Sequence, residues 1–235
     1  MPQATALVTG ATEGIGRAIA FSLGRAGYAV GVCARTPSRL RTVLEELAAA
    51  GIRAAGHPGD VGVESDARAI VAQVTAALGP IDVLVNNAGV AILKPFEQLT
   101  LDEWDTTMAT NVRSLFLVTR EVLPGMRARQ HGSIVNIASL AGRSGFTGGV
   151  AYTASKHATL GFSRALMLEV RKENIRVIAI CPGSVDTSLI RNQSALSPNI
   201  DRILQPQDVA DTVLAALALP ERATVSELDV RPTNP

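Results

Sequence analysis

The stretch "AYTASKH", residues 151 to 157, sets a tyrosine four positions before a lysine, and Tyr152 is one of only two tyrosines in the chain. On a helix, side chains at i and i+4 lie on one face a turn apart, so Tyr152 and Lys156 can present a phenol and an ammonium to one point. That geometry has two uses. One is a solvated surface pair worth about 0.2–0.5 kcal/mol. The other is proton transfer: a phenol titrates near about pH 10, and acting as a base near neutrality calls for a shift of about three units, or about 4 kcal/mol, for which an adjacent cation is the obvious source.

A second stretch with chemical content is "TGATEGIG", residues 9 to 16, which follows a strand-like run and opens a helical one. Glycines at 10, 14 and 16 permit tight, positive-φ turns and close approach of backbone N–H groups. The helix N-terminus adds partial positive charge suited to a pyrophosphate. Ile15 would follow the bend with its N–H toward phosphate, and Thr9 or Thr12 could steady the loop through a hydroxyl. The same glycines could serve an ordinary turn, and their G-x-x-x-G-x-G spacing departs from the common G-x-G-x-x-G fingerprint.

These residues need a scaffold, and the chain supplies an alternating one. Short β-like runs, "ATALVT", "AVGVCA", "IRAAGH", "IDVLVN", "GSIVNIA", "IRVIAIC" and "SELDVR", alternate with helical stretches. The helices are expected at 14–27, 38–51, 64–79, 102–129, 150–172 and 206–219. This order predicts right-handed βαβ units and an α/β, Rossmann-type, doubly wound parallel sheet of seven strands with helices on both faces. No linker divides residues 1 to 235, so a single domain is expected. The irregular, proline-containing region near 184–207 reads as a lid over the site or as a plain surface excursion.

Bulk properties narrow the partners. With 47% hydrophobic residues the chain can bury a large core, and 22 basic against 21 acidic residues give no broad field for nucleic acid or anionic lipid. No apolar run reaches membrane-spanning length, and the start of the chain has no signal-peptide pattern, so a cytoplasmic protein binding a small molecule is expected. Cys33 and Cys181 lie far apart, and His57, His131 and His157 show no metal-ligand spacing with them, so no metal site is expected. His157 reads as a helix-packing residue.

"TGATEGIG", "NNAG" at 86–89, Ser139 after "GSIVNIA", "YTASK" at 152–156 and "PGSVDT" at 182–187 resemble, in kind, order and spacing, the short-chain dehydrogenase/reductase family, and the likeness spans almost the whole chain. The resemblance implies carbonyl reduction by hydride transfer from a nicotinamide dinucleotide. Asn111, Ser139, Tyr152 and Lys156 would form the catalytic set: Ser139 bonding the carbonyl oxygen, Tyr152 donating the proton, Lys156 lowering the phenol's pKa and bonding the nicotinamide ribose, and Asn111 holding a helix kink and a relay water. Gly10, Thr12, Glu13, Gly14, Ile15 and Gly16 would cradle phosphate. Asp60 and Val61 would hold the adenine, although Asp60 also reads as a cap. Asn87, Ala88 and Gly89 would back the adenosine side or simply brace the sheet. Pro182, Gly183, Val185 and Thr187 would bound the nicotinamide.

Family members that prefer NAD carry an acid at the end of the second strand, where this chain has "VCARTPSR". Arg35 stands where a guanidinium could pair with a 2′-phosphate, with Thr36, Ser38 and Arg39 nearby, so NADP(H) is favoured and NAD(H) remains an alternative. Glu13 departs from the basic residue that many NADP-preferring relatives carry there; it would repel that phosphate unless it faces solvent or pairs with Arg35. The resemblance is nearest the ketoacyl-carrier-protein reductase type, without the glycine-rich tail usual there, and a broad ketone or aldehyde reductase fits as well. Relatives pair their long helices with another subunit, so a homotetramer or dimer is expected. The rivals are an NAD-dependent alcohol dehydrogenase of the same fold, a noncatalytic dinucleotide sensor, and a methyltransferase on a related sheet.

Overall fold

The computed structural model describes residues 3 to 192 and 199 to 234. Seven parallel strands are present: β1 (Thr5–Val8), β2 (Ala29–Ala34), β3 (Ala54–Pro58), β4 (Ile81–Asn86), β5 (Gly132–Ile137), β6 (Ile175–Pro182) and β7 (Glu227–Val230). They lie in the order β3-β2-β1-β4-β5-β6-β7. The central strands are apolar at nearly every position because both of their faces are covered. Along β1, Ala6 and Val8 face one core while Leu7 faces the other.

The helices are α1 (Gly14–Arg25), α2 (Pro37–Ala49), α3 (Glu64–Leu78), α4 (Leu101–Met108), α5 (Ser114–Arg129), α6 (Val150–Val170), α7 (Ser188–Arg191) and α8 (Pro206–Leu217). One face of the sheet buries Ile19 and Leu23 of α1, Val43 and Leu47 of α2, and Val209 and Val213 of α8. The other buries Ile70 and Val74 of α3, Val118 and Val122 of α5, and Leu166 and Val170 of α6. The chain leaves β1 toward β2 and β3, then returns to place β4 on the other side of β1. That reversal opens a crevice at the carboxyl ends of β1 and β4, the place where doubly wound sheets bind ligands.

Two elements differ from expectation. The helix expected over 102–129 is interrupted: α4 and α5 are joined by a π-helical turn, Ala109–Arg113, with Asn111 at its centre. The irregular region after β6 contains the short helix α7, and its base is tied down. Val185 bridges Leu204 in parallel, with Asp186 N–H donating to the Leu204 carbonyl at 2.7 Å and Leu204 N–H to the Ser184 carbonyl at 3.0 Å. Residues 193 to 198 of the expected lid lie outside the described residues.

Candidate active site

The phosphate-type turn is built by backbone crowding. Gly10 has φ +65°, and a Cβ there would lie 2.9 Å from the Ala88 Cα. A Cβ on Gly16 would come within 2.3 Å of both the Gly10 carbonyl oxygen and the Asn87 Nδ2, so no larger residue fits unless the turn moves. Asn87 clamps this turn, donating through Nδ2 to the carbonyls of Thr9 at 2.9 Å and Gly10 at 3.0 Å. The Thr9 hydroxyl in turn accepts from the N–H groups of Asn87 and Ala88, both at 3.0 Å. Glu13 at the N-cap of α1 is extended and makes no side-chain cap bond, and the first turn carries no acid. The leading N–H groups of α1 are therefore offered to the cleft, which is how a helix receives a phosphate.

Around this turn lies one cleft that gathers Thr12, Ile15, Arg35, Thr36, Asp60, Val61, Gly89, Ser139, Tyr152, Lys156, Pro182, Gly183, Val185 and Thr187 with the three glycines, Glu13, Asn87 and Ala88. Of the residues named for the site, Asn111 does not line it, nor do Thr9 and Ser38 among the supporting ones. Asp60 lines the cleft, and its Oδ1 accepts the Gly62 N–H at 2.8 Å, the cap expected as its other reading, at the turn before α3. Asn87 to Gly89 likewise brace the turn and border the cleft. Gly183 donates its N–H to the Val230 carbonyl at 2.8 Å, tying the floor of the cleft to β7. Thr187 stands against the phosphate turn, its Cγ2 3.1 Å from where a Gly14 Cβ would be.

Ser139 follows β5 and caps a short 3-10 turn, its Oγ accepting the Ala141 N–H at 3.1 Å. Tyr152 rises from the first turn of α6, partly buried. Lys156, one turn on, is buried at 6% exposure, with Nζ donating to the Ile137 carbonyl at 2.8 Å and lying 5.7 Å from the centre of the Tyr152 ring. The expectation that the lysine depresses the phenol's pKa is not met in this site. Burial raises Tyr152 above its usual range, and hydrogen bonding with Ser139 is the influence that lowers it. Burial also brings Lys156 down to about 8. The reason is geometric: the ammonium is turned toward a backbone carbonyl and has been taken out of water itself.

Asn111 sits behind this pair. Its Oδ1 accepts the Val90 N–H at 2.8 Å, and its Nδ2 donates to the Val90 carbonyl and to the Ser155 hydroxyl, both at 2.9 Å. A Cβ on Gly89 would lie 3.3 Å from Asn111 Oδ1 and 3.8 Å from Lys156 Nζ, so a bare glycine separates the two.

At the outer end of the cleft, Arg35 and Thr36 are exposed, and Glu13 pairs with Arg39 at 3.7 Å rather than with Arg35. Several lining residues were not singled out for the site in the sequence, among them Cys33, Val90, Thr110 and Ile137, and Ser188, Leu189 and Ile190 of α7, which fall inside the expected lid, were not named individually. Besides their place in that region, the signal of the α7 residues is an apolar pair just beyond "PGSVDT". His157 is exposed, so it does not pack within this chain, and its Nδ1 lies 3.0 Å from the Thr153 carbonyl. Cys33 and Cys181 are buried free thiols, and burial pushes Cys33 up to about 12.

The model of the family described as short chain dehydrogenase matches residues 4–196. The chain belongs to the short-chain dehydrogenase family. It is an oxidoreductase of the alcohol–carbonyl pair that uses a nicotinamide cofactor. A Streptomyces coelicolor protein provisionally named ketoacyl reductase is 46% identical over 186 residues, covering 78% of this chain and 71% of that protein. Among solved structures, a point variant of actinorhodin polyketide ketoreductase with NADPH matches at TM-score 0.91 and 38% identity, over 99% of this chain and 98% of that one. A metagenomic short-chain oxidoreductase in complex with NADP matches at TM-score 0.86 and 36% identity, over 100% and 99%. Among the described residues of this short-chain dehydrogenase, no helix is long and apolar enough to cross a membrane.

Proposed function

We propose that this enzyme reduces a neutral ketone, aldehyde or 3-oxoacyl carbonyl to an alcohol with NADPH. The observation that carries the reading is the opening of Ser139, Tyr152 and Lys156 into the same cleft as the phosphate turn. A dinucleotide fits that cleft: the glycine turn has no side chain to fill it, the first turn of α1 carries no acid, and Glu13 at the N-cap makes no side-chain cap bond to the leading N–H groups. When bound, the nicotinamide supplies the hydride for the carbonyl carbon. Ser139 bonds the carbonyl oxygen, and Tyr152 gives that oxygen its proton. Burial raises the Tyr152 phenol, so it is protonated at neutral pH, the form a proton donor needs.

Lys156 would bond the nicotinamide ribose and reload Tyr152, with Asn111 behind it. Arg35 at the mouth supports recognition of a 2′-phosphate, as do the NADPH- and NADP-bound relatives. Gly14, Ile15 and Gly16 would hold the pyrophosphate, Asp60 and Val61 the adenine, and Val185 and Thr187 the carboxamide. The segment 184–207, hinged on the Val185–Leu204 bridge, would act as the lid, with Leu189 and Ile190 facing an aliphatic or acyl substrate. Exposed Phe116 on α5 and Leu168 on α6 support self-association through those helices.

The test is NADPH and NADH oxidation with a panel of ketones, aldehydes and 3-oxoacyl thioesters, followed at the reduced-nicotinamide absorbance. NADPH-dependent turnover of at least one class is expected. A folded preparation that oxidises neither cofactor with any of them contradicts the reading.

A further inference from the structure

A row of buried hydroxyls runs along the sheet-facing side of α6. Ser155, Thr159 and Ser163 recur every four residues and are exposed by 0%, 2% and 3%. Each is occupied locally: Ser163 donates to the Thr159 carbonyl at 2.7 Å, Thr159 to the Ser155 carbonyl at 3.1 Å, and Ser155 to the Tyr152 carbonyl at 2.7 Å. Serine and threonine disfavour a helix interior, where this back-bonding tends to bend the helix, so such a row on a buried face calls for partners across the interface. Two exist. Ser163 accepts from Asn136 Nδ2 of β5 at 2.8 Å, and Ser155 accepts from Asn111 Nδ2 at 2.9 Å.

The two contacts differ in what they reach. Asn136 is bonded onward to Asn86 of β4, deep in the sheet, so the Ser163 contact joins helix to sheet. Ser155 instead links the π-helical turn to the carbonyl of Tyr152, in the turn of α6 that also carries Lys156. Asn111 is itself fixed at both ends to the Val90 backbone, so the pull comes from a rigid anchor. From this geometry we infer that Ser155 is a positioning residue: through its paired bonds to Asn111 and the Tyr152 carbonyl it sets the height of the first turn of α6, and with it the aim of the Tyr152 phenol at Ser139. The inference rests on the reading of Tyr152 as proton donor, but its geometric part stands without it.

The experiment compares Ser155→Ala with Ser163→Ala. Each variant removes one buried hydroxyl and one cross-element bond from the same helix, so their losses of thermal stability should be similar. Only Ser155→Ala is expected to lower kcat, by about ten- to a hundredfold, since small misplacements of reacting groups are costly. KM for NADPH should stay within about twofold, because the phosphate turn is not touched. A second readout needs no turnover. Carbon-13 tyrosine labelling gives one ring resonance for each of the two tyrosines, and Tyr152→Phe assigns that of Tyr152. In the cofactor-free protein this resonance should move in Ser155→Ala and hold in Ser163→Ala. If kcat and the resonance are unchanged in Ser155→Ala, or if both variants lose activity alike, the positioning role is overturned. A moved resonance in an enzyme whose turnover does not need Tyr152 would keep the positioning and overturn the proton-donor reading instead.

Discussion

The Glu13 carboxylate lies 3.7 Å from the Arg39 guanidinium at the outer mouth of the cleft, while Arg35 beside them carries no ion pair among the described residues. Both partners are more than half exposed, so the pair itself contributes little to folding stability. Its consequence is for cofactor choice. Glu13 holds a cation that a 2′-phosphate could use and adds a like charge near that phosphate. Glu13→Gln should therefore tighten NADPH several-fold at low salt and leave NADH almost unchanged, with the gain shrinking as salt rises. Arg35→Gln should weaken NADPH by about ten- to a hundredfold, the worth of a charge-assisted bond. Fluorescence titration with both cofactors reads each effect; an equal change for NADH would place the two residues away from the phosphate.

Gly16 is enclosed by the Gly10 carbonyl and the Asn87 amide, each 2.3 Å from an added Cβ. Gly16→Ala must push the turn open and break the Asn87 clamp. A loss of NADPH affinity of at least about tenfold is expected, together with destabilisation of about 1–3 kcal/mol from the uncoupled buried bonds. Titration calorimetry and urea unfolding measure the two, and unchanged affinity would show that the turn is not the phosphate site.

Lys156 makes a prediction about stability against pH. Its folded pKa of about 8 lies below the ordinary 10.5. Below pH 8 the ammonium is charged whether the chain is folded or not, and the folded protein bears the full cost of burying it. Between about 8 and 10.5 the folded state has released a proton that the unfolded state still binds, so this group's contribution to stability rises with pH. Relative to Lys156→Met, the wild type should gain about 3 kcal/mol across that window. Denaturant unfolding at a series of pH values checks this, and a flat difference would mean that the lysine is not desolvated.

The parts of this enzyme that were legible in the sequence are those set by local rules. Apolar runs such as "IRVIAIC" had to be strands covered on both faces, and Gly10, Gly14 and Gly16 ahead of a helix had to be a tight turn. Tyr152 and Lys156 announced a shared face by their spacing alone. A kink at Asn111 was expected from the family resemblance alone; local rules could not give the π-turn at Ala109–Arg113, because "ATNVR" has neither glycine nor proline and the turn is braced by the Asn111–Val90 bonds across 21 residues. The partner of Glu13 depended on how far α2 turns Arg39 back toward α1. The burial that raises the Tyr152 phenol and lowers the Lys156 ammonium was not legible, because sequence spacing says which groups are close and nothing about how much water either has lost.

The most direct measurement is NADPH-dependent carbonyl reduction by Tyr152→Phe alongside its NADPH affinity. Loss of the hydroxyl should lower kcat by about a hundredfold or more while the cofactor binds within about twofold of wild type, the range expected when an essential proton donor is removed. Full turnover by the phenylalanine variant would contradict the account, because the proton would then have to come from elsewhere.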